Sequence, residues 1–125
     1  MGEEVGVIYG RSGQSRLMVL TDGRLVDFGG RSIGFLDSSN AYNYEGRHCG
    51  LYEDGILRDH GGDCVGFGEL VADTIHPLLP SKRVRPIHSL VEVEPLRPEI
   101  KISPPKPLKT LNWSTSTPIS MFYEH

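Results

Sequence analysis

The sequence predicts an all-β fold. Four short β-hairpin repeats of about 16 residues close in a pseudo-four-fold ring, and an extended, proline-rich, polyproline II-like C-terminal arm follows. Three observations predict it. All 15 glycines lie at or before Gly68, and all 9 prolines lie at or after Pro77. Residues 22–69 repeat with a period of 16. From Ile75 onward the chain follows a period of three. The organisation is therefore a hairpin-repeat domain over 1–69 and an extended arm over 70–125.

The repeat is visible when residues 22–37, 38–53 and 54–69 are aligned: DGRLVDFGGRSIGFLD, SSNAYNYEGRHCGLYE and DGILRDHGGDCVGFGE. Gly30, Gly46 and Gly62 coincide, as do Gly34, Gly50 and Gly66. Phe28, Tyr44 and His60 share one aromatic slot, and Phe35, Leu51 and Phe67 share an apolar one. A unit this short cannot hold a strand and a helix but suits two strands and two turns. Asp-Gly or Ser-Ser supplies one turn and the Gly30-type glycine the other. Gly34, Gly50 and Gly66 fall inside strand-like runs, which implies a close approach or a positive φ there. An earlier stretch around Val7–Gly13 reads as a degenerate fourth copy if one residue is gained before Asp22. A lone hairpin is marginal in water, whereas ring-closed copies bury one another and leave few edges.

The motifs DFGGRSIGFL, NYEGRHCGLY and RDHGGDCVGF resemble the repeated unit of the four-fold beta-flower family, small uncharacterised prokaryotic proteins. The resemblance covers about residues 5–69, and the proline-rich continuation to LNWSTS looks similar. It implies the fold. It implies no activity, because the family has no established catalytic residues to carry over.

In the arm, positions 75, 78, 84, 87, 90, 93, 96, 102, 108 and 111 are all Ile, Leu or Val. Positions 77, 80, 86, 95, 98, 104 and 107 are all Pro, and the third register carries Lys82, Arg85, Arg97, Lys106 and Lys109. Three residues per turn is the period of polyproline II. Such a chain makes no internal hydrogen bonds, so its apolar edge is expected to pack on the repeats or on a neighbouring subunit, with Ile87, Leu90, Val93 and Trp113 as anchors. Over residues 76–111 the arm would reach about 110 Å, so it must wrap, bend or cross to a partner. Pro77-Leu-Leu-Pro80 and its relatives also match Pro-x-x-Pro docking ligands, as any such series would.

Composition narrows function. A net charge of −3 argues against nucleic acid. No apolar run approaches the roughly 20 residues of a membrane span. The N-terminus lacks a secretion-signal pattern, and two cysteines suit a reducing cytosol, so a cytoplasmic location is expected. Glycine-rich GRSGQS lacks the lysine and helix of a phosphate loop, and no serine sits in a nucleophile elbow. Asp37, Glu53 and Glu69 close each repeat; they either gather at one rim or keep strand ends soluble.

The expected function is a non-enzymatic interaction or scaffold module, self-associating through the arm and using no cofactor. The alternatives are a small-molecule or glycan binder using Phe28, Tyr44 and His60, or an enzyme of unnamed reaction. His48, Cys49, His60 and Cys64 invite a zinc reading, but their spacings match no common ligand pattern. The repeat places Cys49 in the slot of Ile33 and Val65, and His60 in that of Phe28 and Tyr44. His48 and Cys64 share the slot of Ser32, which reads as half-exposed. A chelator should leave the melting temperature unchanged; a fall of several degrees, reversed by zinc, would overturn this reading.

Overall fold

The computed structural model describes residues 3–100 and 104–123. Eight strands pair antiparallel in sequence order and close into a barrel: β1 (Glu4–Tyr9), β2 (Ser15–Leu20), β3 (Arg24–Asp27), β4 (Ser32–Asp37), β5 (Asn40–Tyr42), β6 (His48–Glu53), β7 (Ile56–Arg58) and β8 (Cys64–Phe67). Tyr9 pairs with Phe67 to close it. Closure removes the free edges that would template aggregation.

One end carries the turns at Gly13, Gly30, Gly46 and Gly62, with φ of 80°, 89°, 82° and 85°. That region costs glycine nothing and other residues a good deal. Three of these turns share a side-chain brace at Asp27, Asn43 and Asp59. Each accepts, through its Oδ1, the backbone N–H four residues on, at 2.9–3.1 Å. Gly13 takes the same turn geometry 17 residues before Gly30, so the first hairpin carries one extra residue.

A register shift recurs where β3–β4, β5–β6 and β7–β8 pair. It inserts Ile33, Cys49 and Val65 as extra residues, and all three join the core. Ile8, Leu17, Val19, Leu25, Ala41 and Leu57 from the other strands join them in the barrel interior. The chain end closes the remaining space. A short 3₁₀ turn at Ser120–Phe122 puts Met121 and Phe122 into the same core. Asn43 Nδ2 donates to the carbonyl of Phe122 at 3.1 Å.

Gly34, Gly50 and Gly66 make room for this plug. A Cβ on Gly34 would stand 2.7 Å from the Phe122 ring, and one on Gly50 2.6 Å from Met121 Cε. One on Gly66 would stand 3.0 Å from Pro118 Cγ. Each would also meet a carbonyl of the next strand: Tyr42, Arg58 and Tyr9 respectively.

Residues 71–100 and 104–110 hold no helix or strand, yet their path is set at every turn. The N–H of Arg83 donates to the Gly13 carbonyl (2.8 Å), that of Glu92 to Gly30 (2.8 Å) and that of Thr110 to Gly62 (3.2 Å). The carbonyls of Ser81, Leu90, Glu99 and Leu108 cross where a Cβ on Gly13, Gly30, Gly46 and Gly62 would sit. These contacts recur every nine residues along the tail, one per hairpin. The tail therefore makes a circuit of the barrel before Asn112–Ser114 bridges β8, where Cys64 N–H donates to Asn112 O and Ser114 N–H to Cys64 O.

Gly50→Val should destabilise by the upper part of the roughly 1–3 kcal/mol range of backbone and packing mutations. Gly6→Ala, where a Cβ meets nothing within 4 Å, should stay within about 0.5 kcal/mol. Equal denaturation midpoints for the two would show that the plug does not set the repeat glycines.

Candidate functional site

The surface the tail builds has two faces. The inward face is the register that carries the basic residues. Lys82 Nζ sits 5.4 Å from the Tyr9 ring centre, Arg85 5.5 Å from Phe28 and Arg97 4.9 Å from Phe35. Val91 and Leu79, in the same register, pack on the outer-wall clusters around Met18 and Phe67. Carboxylates complete the seam. Arg85 Nη1 reaches Glu4 at 2.6 Å, Lys106 reaches Glu53 at 3.0 Å and Lys109 reaches Asp54 at 3.2 Å. The Arg85 hydrogen bonds hold the Glu4 carboxyl below the usual range. Tyr44 donates to Glu94 at 2.7 Å, and burial followed by that bond raises its phenol well above the ordinary value.

The outward face is the apolar register, which corrects the expectation that this edge packs on the repeats. Ile87 is 98 % exposed, Leu90 95 % and Val93 93 %. These three do not anchor the arm to the barrel. Val84 and Leu96 extend the same exposed line on either side. The physical reason is the backbone clasp. At Gly13, Gly30 and Gly62 the carbonyl of the first residue and the N–H of the third both point at the turn, so the second residue faces the wall and the first faces away. Trp113 behaves differently: it is half-buried, edge-on to Phe67 at 6.5 Å, and anchors the returning tail.

The aromatic slot residues are separated rather than gathered. Phe28 lies under Arg85, Tyr44 is bonded to Glu94, and His60 is exposed. His60 stacks on His48, with Nε2 2.9 Å from His48 Nδ1. His48 is buried and not half-exposed, because His60 and Tyr42 cover it; burial and His60 lower its pKa. Cys64 is likewise fully buried, under the Trp113 bridge, and burial pushes its thiol up to about 11. Cys49 lies in the core. Among the described residues no group of three His, Cys, Asp or Glu side chains could hold a metal ion. Glu53 and Glu69 each face a tail lysine, Lys106 at 3.0 Å and Lys82 at 3.6 Å.

Two signals went unread in the sequence. Asp27, Asn43 and Asp59 are one repeat slot, and an Asx beside a positive-φ glycine marks a braced turn. The tail's period of three is also a period of nine: Pro86, Pro95, Pro104 and Trp113 share a slot, as do Val84, Val93 and Leu111.

No helix among the described residues is long and apolar enough to cross a membrane. No curated protein and no solved structure matches the chain significantly. The family model described as "4-fold beta flower protein" matches residues 7–123, which spans the barrel, the encircling tail and the plug. The closed all-β barrel agrees with that match, and the chain belongs to the 4-fold beta flower protein family.

Proposed function

We propose that this protein is a non-enzymatic interaction module: four hairpins bound by a polyproline II-like belt that self-associates through its outward apolar edge. The observation that carries the reading is the run Val84, Ile87, Leu90, Val93 and Leu96, each at least 93 % exposed. At 60–120 Å² per aliphatic side chain, this line offers roughly 300–600 Å² of apolar surface. That matches the largest patch on a typical monomer, the kind that marks an interaction site.

The occupant we favour is a second copy. The inward register spends the belt's charges on its own barrel, so the outward edge presents no charge for a polar partner. The run is bounded by Ser81 and Glu99, which confines it to one sector of the barrel. Its five side chains are evenly spaced about Leu90, so an antiparallel two-fold axis there sets Ile87 against Val93 of the other copy. A self-complementary patch of that kind is what a two-fold dimer requires. Two convex belts touch mainly at the centre of the arc, so Ile87, Leu90 and Val93 carry most of the contact and the dimer is weak.

Light scattering across a concentration series should show dimer growing with concentration. Ile87→Ser with Leu90→Ser should abolish it and leave the melting temperature within a few degrees, since neither side chain packs on the barrel. A monomer at every concentration, or a dimer indifferent to both substitutions, would overturn self-association through this edge.

A further inference from the structure

The cations of this chain are not evenly matched. Arg24, Arg31, Arg85, Arg97, Lys82, Lys106 and Lys109 each have a carboxylate within 4 Å. Arg58 is buried and donates to the carbonyls of Gly62, Thr110 and Ile75, while Arg83 donates to Ser12 O at 3.1 Å. Arg11, Arg16 and Arg47 have no carboxylate partner among the described residues. In an acidic chain that leaves three open guanidiniums, and all three lie at the plugged end of the barrel.

They line two neighbouring clefts beside the plug. One, of about 200 Å³, opens between the first hairpin turn and the tail segment 114–118. Arg11 and Arg16 line it, with the hydroxyl residues Ser12, Thr115, Ser116 and Thr117. No Asp or Glu is among its described lining residues. Arg11 holds its guanidinium over the Trp113 ring, 5.9 Å from its centre, a contact that does not neutralise it. The stem of Arg16 lies along Gly10, where a Cβ would stand 3.4 Å from Arg16 Cγ. The second cleft shares Ser116 and contains Arg47, whose Nη2 is buried with no hydrogen-bond partner. Asp59 lines that one too, but its Oδ1 accepts from Gly61 and Asp63 and its Oδ2 from Ser114. The first cleft is thus the more purely cationic of the two.

We infer that the cleft between Arg11 and Arg16 binds a phosphate-type oxyanion. Two fork-shaped guanidiniums with surrounding hydroxyl donors match the charge and geometry of a tetrahedral oxyanion. The volume is below the roughly 300–1,000 Å³ of drug-sized ligand sites, so it admits a phosphoryl group and not a whole nucleotide. Free phosphate and the phosphoryl group of a small organic ester share this chemistry. None of the exposed side chains from Val84 to Leu96 lines the cleft, so the site stands or falls independently of self-association.

Trp113 is the only tryptophan and lies under Arg11, so it reports on the site. Full-length protein at low salt would be titrated with inorganic phosphate and, separately, with glycerol phosphate, following Trp113 fluorescence and binding heat. Saturable binding of at least one is expected, weakened at least tenfold by Arg16→Gln and by Arg11→Gln. Arg31→Gln, an exposed cation paired with Asp27 and outside both clefts, should leave it unchanged. Tighter binding of the ester would identify an esterified source, and tighter binding of phosphate the free ion. No saturable signal with either ligand would overturn the inference. So would equal weakening by Arg31→Gln, or an equal response to chloride at matched ionic strength. If Arg16→Gln does not fold, Arg11→Gln decides, because Arg11 is exposed on its turn and its loss leaves no cavity.

Discussion

The structure depends on one contact: a tail carbonyl crosses over the turn glycine of each hairpin and, at Gly13, Gly30 and Gly62, a tail N–H two residues later donates to that glycine's own carbonyl. Gly30 shows why it must be glycine. Its φ of 89° turns the carbonyl outward, and its missing Cβ is the space the Leu90 carbonyl occupies. Any side chain would be strained by the backbone and blocked by the tail together. The same pairing at Gly13 and Gly62 gives an otherwise unstructured segment backbone partners it could not supply itself.

The two periods meet because the circumferences do. Eight strands about 4.8 Å apart, tilted by about 40°, give a barrel radius of about 8 Å. A layer packed about 10 Å outside it travels a circuit of about 110 Å. Thirty-six residues at about 3.1 Å each cover the same distance. Nine tail residues per hairpin is therefore the number an extended chain needs to pass from one turn to the next. A tail with a different unit length would lose step with the glycines after one or two hairpins.

This explains which parts could be read in advance. The hairpin period, the turn glycines and the all-β architecture were legible, because each rests on a residue type with a strong local preference. The tail's period of three was legible for the same reason. Which register faces the barrel was not. Hydrophobicity alone puts Ile87 and Leu90 inward, but the wall they would meet offers aromatic faces at Tyr9, Phe28 and Phe35 beside carboxylates at Glu4 and Glu69. Arg85 and Lys82 satisfy both surfaces at once, stem on ring and head on acid. The backbone clasp then leaves no freedom to rotate the apolar edge inward. The plug was also illegible, since Met121 and Phe122 follow a polar stretch and no period reaches them. Their trace in the sequence is indirect: three glycines in strand interiors, waiting for a close approach.

The circuit also changes what the tail is. A linker can be removed without consequence for the domain it leaves. Here the segment that encircles the barrel continues into the residues that fill it, so belt and core are one chain under one set of constraints. Loosening the belt at Gly30 or Gly62 would free the path that delivers Met121 and Phe122, and drawing out the plug would slacken the belt. The apolar edge on the outside is the exception. Its side chains touch nothing in their own barrel, so the fold does not require them to be Val, Ile or Leu. Residues that contribute nothing inward, held in line by a backbone that cannot turn, are free to be specified by what lies outward.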